Sequence, residues 1–423
     1  MDHASNDMHK VLVLDAHQRS ALAIIRSLGR HGLTVIAGSD ETNALGAASR
    51  YVAAAVRYPN PAAAPRSFVH EIVTIADRLG IDTIIPTTDL TTMLLVSQPD
   101  VSKIAHLAAP SAESYEALTD KARLVELAGS LGISTPVTRI VHTETAVAEA
   151  AQDIGFPIVL KPARSRYLKD DRICSTSVEI VNAPENLSTT LSRMTCLRDI
   201  PCLVQRFIPG HGAGVFALYA SAQPVAWFAH RRIREKPPTG GVSVLCESVP
   251  IDSAMQSAAG RLLAAADWTG VAMVEFRVAH DGTPCLMEVN GRFWGSLQLA
   301  IDCGVDFPWL LYRHIRGLPV TAPASYALGR RVRWLLGDFD SLLISLRQTA
   351  SNGVPKARVL AAFLRSFADL RCRQEILRFH DIRPGLREMV QWLNALRPSP
   401  LKLASRRRPA SLYSDVRRST RHR

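Results

Sequence analysis

The 423-residue chain has no uninterrupted apolar stretch near the roughly 18 residues that a membrane-crossing helix needs. Its first residues, "MDHASNDMHK", lack the charged start and apolar run of a secretory leader, so a cytoplasmic location is expected. Seven cysteines (174, 196, 202, 246, 285, 303 and 372) are scattered, odd in number and free of any C-x-x-C pair. That argues against a disulfide framework or a cysteine zinc site and fits reduced thiols. No internal repeat is present. The opening strand–turn–helix, "HKVLVLDAHQRSA", has no glycine where G-x-G-x-x-G would sit, which argues against a dinucleotide site there.

What is present is ordinary in bulk. Hydrophobic residues make up 47% and charged residues 21%, a globular composition. The length suggests two or three domains, because single cores seldom grow past roughly 250 to 300 residues. The net charge of +12 is uneven: from Gln391 onward nine basic residues face one acidic residue, Asp415. The high basicity is therefore mostly a property of the C-terminal tail, "RRRPASLYSDVRRSTRHR", whose composition is that of a solvated segment.

Along the chain, Val11 to Leu14 reads as a buried strand, Ser20 to Leu28 as a helix and Leu33 to Ala37 as a second strand. Thr83 to Ile85 is another strand, ending at Pro86. Strands alternating with helices imply a parallel sheet. "TDKARLVELAGSLGISTP" (119–136) is a capped helix, "FPIVLKPARS" (156–165) a strand ending in Lys161, and "PCLVQRFIPG" (201–210) a strand closed by Pro-Gly. "VAMVEFRVAHDGTPCLMEVN" is two β-patterned runs around Asp281-Gly282, the signal of a two-residue hairpin loop. Two helices follow, the first capped by Ser296 and stopping at Gly304, the second capped by Asp306 and stopping at Gly317. Beyond residue 330 the pattern is helical and basic.

The hairpin carries the first chemical signal. A loop of Asp281-Gly282 pairs His280 with Thr283, and so sets Glu275 directly across from Glu288. Like charges placed opposite each other destabilise a sheet, and a divalent cation between them removes the conflict. Glu275, Glu288 and the Asn290 oxygen are hard ligands of the kind Mg²⁺ accepts. Two solvated glutamates, or glutamates paired with Arg277 and Arg292, account for the pattern equally well. Lys161, at the end of an apolar strand, offers a compact cation for phosphate; a snorkelling edge lysine is the alternative. "HRRIRE" (230–235) reads either as an anion site or as a solvated strand, and "PPTGG" as a loop able to close over substrate.

The order Lys121, Lys161, "VQRFIPG", "MVEF" and "MEVNGRFWGSLQLAIDCGVDFPWLLYRHIRG" resembles the ATP-grasp superfamily, in the branch of the ATP-binding domains of the carbamoyl-phosphate synthase large subunit. The resemblance covers about residues 10 to 320. It implies an α/β architecture: a Rossmann-like pre-ATP-grasp domain over 1–113, then an ATP-grasp fold of two α+β subdomains over 114–325. A helical C-terminal extension over 326–397 and a basic tail over 398–423 complete the expected organisation. It also implies roles. Lys121 and Lys161 hold nucleotide phosphates, and the backbone of Gln205, Arg206, Phe207 and Ile208 meets adenine. Glu275, Glu288 and Asn290 hold Mg²⁺ or Mn²⁺, and Arg292 neutralises the transferring phosphoryl group. His211 stands where an acidic ribose contact often follows the Pro-Gly. The implied activity is an ADP-forming carboxylate–amine ligase acting on small molecules through an acyl phosphate. Carboxylate–thiol ligation, kinase-like transfer or a degenerate nucleotide-binding scaffold are the competing readings.

Three departures from the family pattern stand out. The stretch after Lys161, "PARSRYLKDDRICST", has no glycine, so Arg and Ser side chains are expected to cover the phosphates. Arg206 stands where the linker is commonly acidic, and His211 replaces the acidic ribose contact. The segment "PKARVLAAFLRSFADLRCRQEILRF" reads as helices packed on the ATP-grasp domain. A weak contact of the basic tail with an anionic membrane or nucleic acid is left open.

Overall fold

In the computed structural model, residues 9–238, 240–352, 355–369 and 371–396 are described. The basic tail expected over 398–423 lies outside them. Three main sheets organise the chain. The first is wholly parallel, in the order Val52–Arg57, Thr34–Ser39, Lys10–Val13, Thr83–Ile85, His106–Leu107. Its helices, among them Arg19–Arg30 and Pro65–Leu79, cover both faces. The strand order turns between Lys10–Val13 and Thr83–Ile85, the place where open parallel sheets form a crevice. Asp89, at the head of helix Asp89–Val96, stands at that edge, beside the capping Thr88.

The second sheet is antiparallel, ordered Glu179–Val181, Ile158–Pro162, Cys202–Arg206, Thr138–Val141. Alternation along Ile158–Pro162 buries Ile158, Leu160 and Pro162. Val159 and Lys161 therefore take the other face, as the two-residue period requires.

The third sheet has seven strands, in the order Pro284–Asn290, Gly270–Val278, His211–Ala220, Gln223–Lys236, Val242–Ser248, Arg331–Arg333, Cys372–Gln374. The last two correct the expectation of a purely helical extension beyond residue 330. The stretch 355–379 reads as helical because its apolar residues recur at helical spacing with arginines between them, but "RCRQ" within it alternates with the two-residue period of a strand. Its Cys372–Gln374 run instead pairs in parallel with Arg331–Arg333 and extends the sheet. Helices Leu335–Asn352, Lys356–Arg365 and Arg383–Leu396 supply the rest.

Phe293 and Trp294 explain part of the sequence motif that contains them. Both are buried, in one cluster with Ala21, Ile24 and Leu28 of helix Arg19–Arg30. They pack the third sheet against the first sheet's helix Arg19–Arg30. The expected caps divide: Asp306 accepts from Trp309 N at 3.3 Å, whereas the Ser296 hydroxyl does not cap and instead meets Nε2 of buried His230 at 2.8 Å.

Candidate active site

The hairpin of Gly270–Val278 and Pro284–Asn290 does set Glu275 opposite Glu288, although not by the expected loop. The loop has three residues, since Ala279 N donates to Thr283 O, and Gly282 takes the left-handed φ of 87° that such loops require. Near the loop Phe276 faces Leu286, one residue out of the expected register. A bulge at Met287 then restores the register, so that Glu275 meets Glu288 and Met273 meets Asn290. The two deviations cancel.

Around the opposed glutamates the chain distributes its charges unevenly. Glu275 accepts from Arg232 Nη2 at 2.9 Å and from Asn290 Nδ2 at 3.0 Å. Burial, then the neighbouring Glu288, raise its pKa above the ordinary glutamate value despite Arg232 and Arg292. The Glu288 carboxylate has no hydrogen bond or ion pair among the described residues, and it lines a cleft of about 550 Å³. Arg292 donates to Asp89 at 3.2 Å, to Phe293 O at 3.0 Å and to Asn290 Oδ1 at 3.1 Å. Burial opposes that cation, but Asp89, Glu275 and Glu288 outweigh it and hold its pKa above the usual arginine value. Gly291 has no room for a side chain: a Cβ there would stand 2.7 Å from Trp268 and 3.1 Å from Tyr115. Close packing on those rings sets Asn290 on the cleft and Arg292 behind its lining, bonded to the lining residues Asp89 and Asn290.

Lys121 lines the same cleft, whereas Lys161 is not among its lining residues and stands beside Met287 of the glutamate hairpin. Lys121 opens helix Lys121–Ser130, whose Asp120 cap accepts from the Ala122 and Arg123 amides. Lys121 is buried, and its ammonium donates to Ser165 Oγ at 3.0 Å. Lys161 donates to the Met287 sulfur at 3.6 Å, a weak acceptor. Burial lowers its pKa, Glu288 and Glu275 partly offset that, and Lys121 and Arg277 add to it. Among the described residues neither lysine forms an ion pair with a carboxylate.

The glycine-free stretch after Lys161 folds as a β-hairpin rather than a loop. Arg166–Lys169 pairs with Arg172–Ser175 across Asp170-Asp171, both at positive φ (48° and 57°), the geometry of a two-residue turn usually given to Asn-Gly. Ser165, Arg166, Ser175 and Thr176 line the cleft. Arg164 also lines it, tied to Asp120 at 2.8 Å and to Glu116. The far side of the hairpin leans on the segment before helix Pro65–Leu79, with Ile173 N donating to Ala62 O at 3.3 Å.

Gln205 to Arg206 end a central strand, and two linker amides are already engaged: Arg206 N donates to Val137 O and Phe207 N to Pro157 O. Ile208 O accepts from Arg277 Nε at 3.0 Å, whose guanidinium lies 5.8 Å from the Phe207 ring centre. His211 begins the next strand and is exposed. The basic run is not an open anion site. Arg231 pairs with Glu247, Arg232 with Glu235 and Glu275, and Arg234 with Asp338. Sequence reasoning missed Asp89 altogether, and it placed Arg232 in a basic run without its pairing to Glu275, because the partners are 203 and 43 residues away. No local spacing encodes such pairs.

A family profile described as "ATP-grasp in the biosynthetic pathway with Ter operon" matches residues 200–337. The carbamoyl phosphate synthase large chain of Neisseria meningitidis serogroup A is 29% identical over 99 residues, 23% of this chain but only 9% of that much longer protein. N5-carboxyaminoimidazole synthetase from Staphylococcus aureus superposes with a TM-score of 0.60 at 12% identity, over 82% of this chain and 86% of that one. The biotin carboxylase domain of Hydrogenobacter thermophilus 2-oxoglutarate carboxylase, solved with MgADP, ADP and bicarbonate, gives 0.59 at 15%, over 76% and 73%. The chain contains an ATP-grasp domain. Lys121, at the head of a helix, and Glu288, on the third sheet, line one cleft, and Lys161 of the second sheet approaches the same hairpin at Met287. No helix among the described residues is long and apolar enough to cross a membrane.

Proposed function

We propose that the chain is an ATP-dependent, ADP-forming ligase that joins a small-molecule carboxylate to an amine. The observation that carries the reading is a set of charges with no ion-paired counter-charge among the described residues. Two ammonium groups, buried Lys121 and part-buried Lys161, have among the described residues only a hydroxyl and a thioether as hydrogen-bond partners. The Glu288 carboxylate faces Glu275 unpaired among the described residues. Buried charges are normally paired, so this arrangement calls for a ligand that brings both signs. A nucleoside triphosphate with a divalent metal does so.

The donor set fits Mg²⁺ or Mn²⁺: Glu275, Glu288 and the Asn290 oxygen supply only hard oxygen ligands, converging from one hairpin. When bound, the metal would screen the phosphate charges. Lys121 and Lys161 neutralise phosphate oxygens, the Gln205–Ile208 linker meets the adenine edge, and His211 stands beside the ribose. A carboxylate oxygen of the substrate attacks the γ-phosphorus, and the bond to ADP breaks, leaving an acyl phosphate. The amine nitrogen then attacks the acyl carbon; phosphate leaves and the nitrogen loses a proton. Arg292 neutralises charge on the reacting group. Asp89, 43% exposed and bonded to Arg292, is exchanged for the incoming carboxylate and is then free to accept a hydrogen bond from the neutral amine and the proton that its nitrogen loses.

A screen of ADP release over pooled carboxylic acids and amines tests the reading, with Glu288→Gln run in parallel. Release that needs both an acid and an amine supports it. Release with an acid and a thiol, or with one acceptor alone, would replace it by another ATP-grasp chemistry.

A further inference from the structure

Helix Arg383–Leu396 packs on the protein with its polar side. Arg387 donates to Ala44 O at 3.0 Å, Gln391 to Asn43 O at 2.7 Å, and Trp392 to Asp340 at 2.9 Å. Glu388 accepts from Trp334. The apolar residues follow helical spacing: Leu386, Met389, Val390, Leu393 and Leu396 share one stripe. They are 51%, 41%, 58%, 50% and 54% exposed, respectively. A surface helix ordinarily does the reverse, burying its stripe and leaving its polar side to water. Leu386 and Val390 also line an open groove against Ala47, Ala48 and Val52. Phe379, just before the helix, is fully exposed.

Charge points to what covers this face. In the segment 371–396 the carboxylates turn inward: Glu375 and Asp381 are buried, and Glu388 is held on Trp334. Arg371, Arg373, His380 and Arg383 are exposed. Directly after Leu396 the sequence continues with nine basic residues against Asp415. A second copy of the chain would bring these like charges together, and a nucleic acid has no use for five aliphatic side chains. We propose that this face docks on an anionic lipid bilayer. The helix lies in the interface with its stripe inserted, and the basic residues after Leu396 are drawn to the headgroups. An apolar stripe and a polybasic segment are the two signals that together give stable surface binding where either alone is marginal. The inference is independent of the ligase reading, since none of these residues lines the cleft.

The test is sedimentation of the full chain with vesicles of phosphatidylcholine alone and of phosphatidylcholine mixed with phosphatidylserine. Binding to the mixed vesicles only is expected. The double variant Val390→Glu/Leu393→Glu should lower that partition at least about tenfold, since it places two carboxylates where acyl chains must be met. Its thermal midpoint should hold, because both side chains are exposed. Leu393→Trp, which adds an interfacial aromatic, should raise the partition. Undiminished binding by the double variant would reduce the contact to tail electrostatics and overturn the proposal. So would equal binding to both vesicle types, no vesicle binding at all, or a lipid-free dimer that the double variant dissociates.

Discussion

Two regions of this molecule bury arginines against carboxylates, and they do so differently. At the seam between helix Arg19–Arg30 and the C-terminal segment, Asp381 accepts from Arg26 at 2.8 Å, from Ser49 at 2.8 Å and from the Arg50 amide at 2.9 Å. The remaining Arg26 donors go to the carbonyls of Glu375, Ile376 and Asp381. Nearby, Arg234 grips fully buried Asp338 with two bonds of 2.7 and 2.6 Å. Every charge there is answered. In the cleft, Glu288 faces Glu275 with no hydrogen-bond or ion-pair partner among the described residues, and beside it Lys161 has only a sulfur there. A closed network makes a joint, whereas a network left open at both signs stands ready for a charged ligand.

The contrast can be broken most severely at the seam. Asp381→Ala should cost about 3–5 kcal/mol of stability, because it leaves Arg26 buried and uncompensated. Chemical denaturation measures the loss, and ATP affinity of the folded fraction should not change. A parallel loss of ATP affinity would show that joint and cleft are one unit.

In the cleft the order is reversed. Glu288→Gln should lower ADP formation at least about a hundredfold, the usual scale when a charge-stabilising group is removed. Its apo melting temperature should stay level or rise, because the repulsion with Glu275 is relieved. Mg-ATP should raise the melting temperature of the wild type and much less that of the variant. Retained turnover would end both the metal assignment and the ligase reading.

Lys161→Ala should weaken ATP binding or rate by about tenfold to a hundredfold, as loss of a charged hydrogen-bond donor does. Lys169, which sits on the neighbouring hairpin and pairs with Asp199, serves as the comparison. Lys169→Ala should have little effect, and equal small effects would make Lys161 a plain strand-end lysine.

A smaller effect separates the regions by pH. Burial raises the Glu388 pKa to about 7, well above the ordinary glutamate value. The folded state therefore binds this proton more tightly, so its contribution to stability is present at low pH and fades as pH rises through about 7. Glu388→Gln should flatten that slope in denaturation midpoints measured on both sides of neutrality. An unchanged slope would assign it elsewhere, Glu275 being the next candidate since its pKa is also raised. The smallest effect expected is that of truncation after Leu396, which should leave ATP turnover intact. A loss of turnover would place a working part beyond the described residues.

Much of this cleft was legible in the linear order of residues. Two-residue alternation puts Glu288 and Asn290 on one face, and the β-pattern around Asp281-Gly282 opposes Glu275 to Glu288. That opposition survives a longer loop because the bulge at Met287 compensates it. The capped helix at Lys121 and the strand ending in Lys161 follow from local signals as well. Alternation, capping and turn chemistry act over a few residues, so they can be read without a fold. Tertiary structure alone decided the partners. It gave Arg292 to Asp89 and Arg232 to Glu275, and it made the basic run of 231–234 an internal set of ion pairs. It also drew Cys372–Gln374 into the sheet and turned the apolar stripe of Arg383–Leu396 outward. Ion pairing and burial depend on which surfaces meet across tens or hundreds of residues, and no short-range periodicity carries that information.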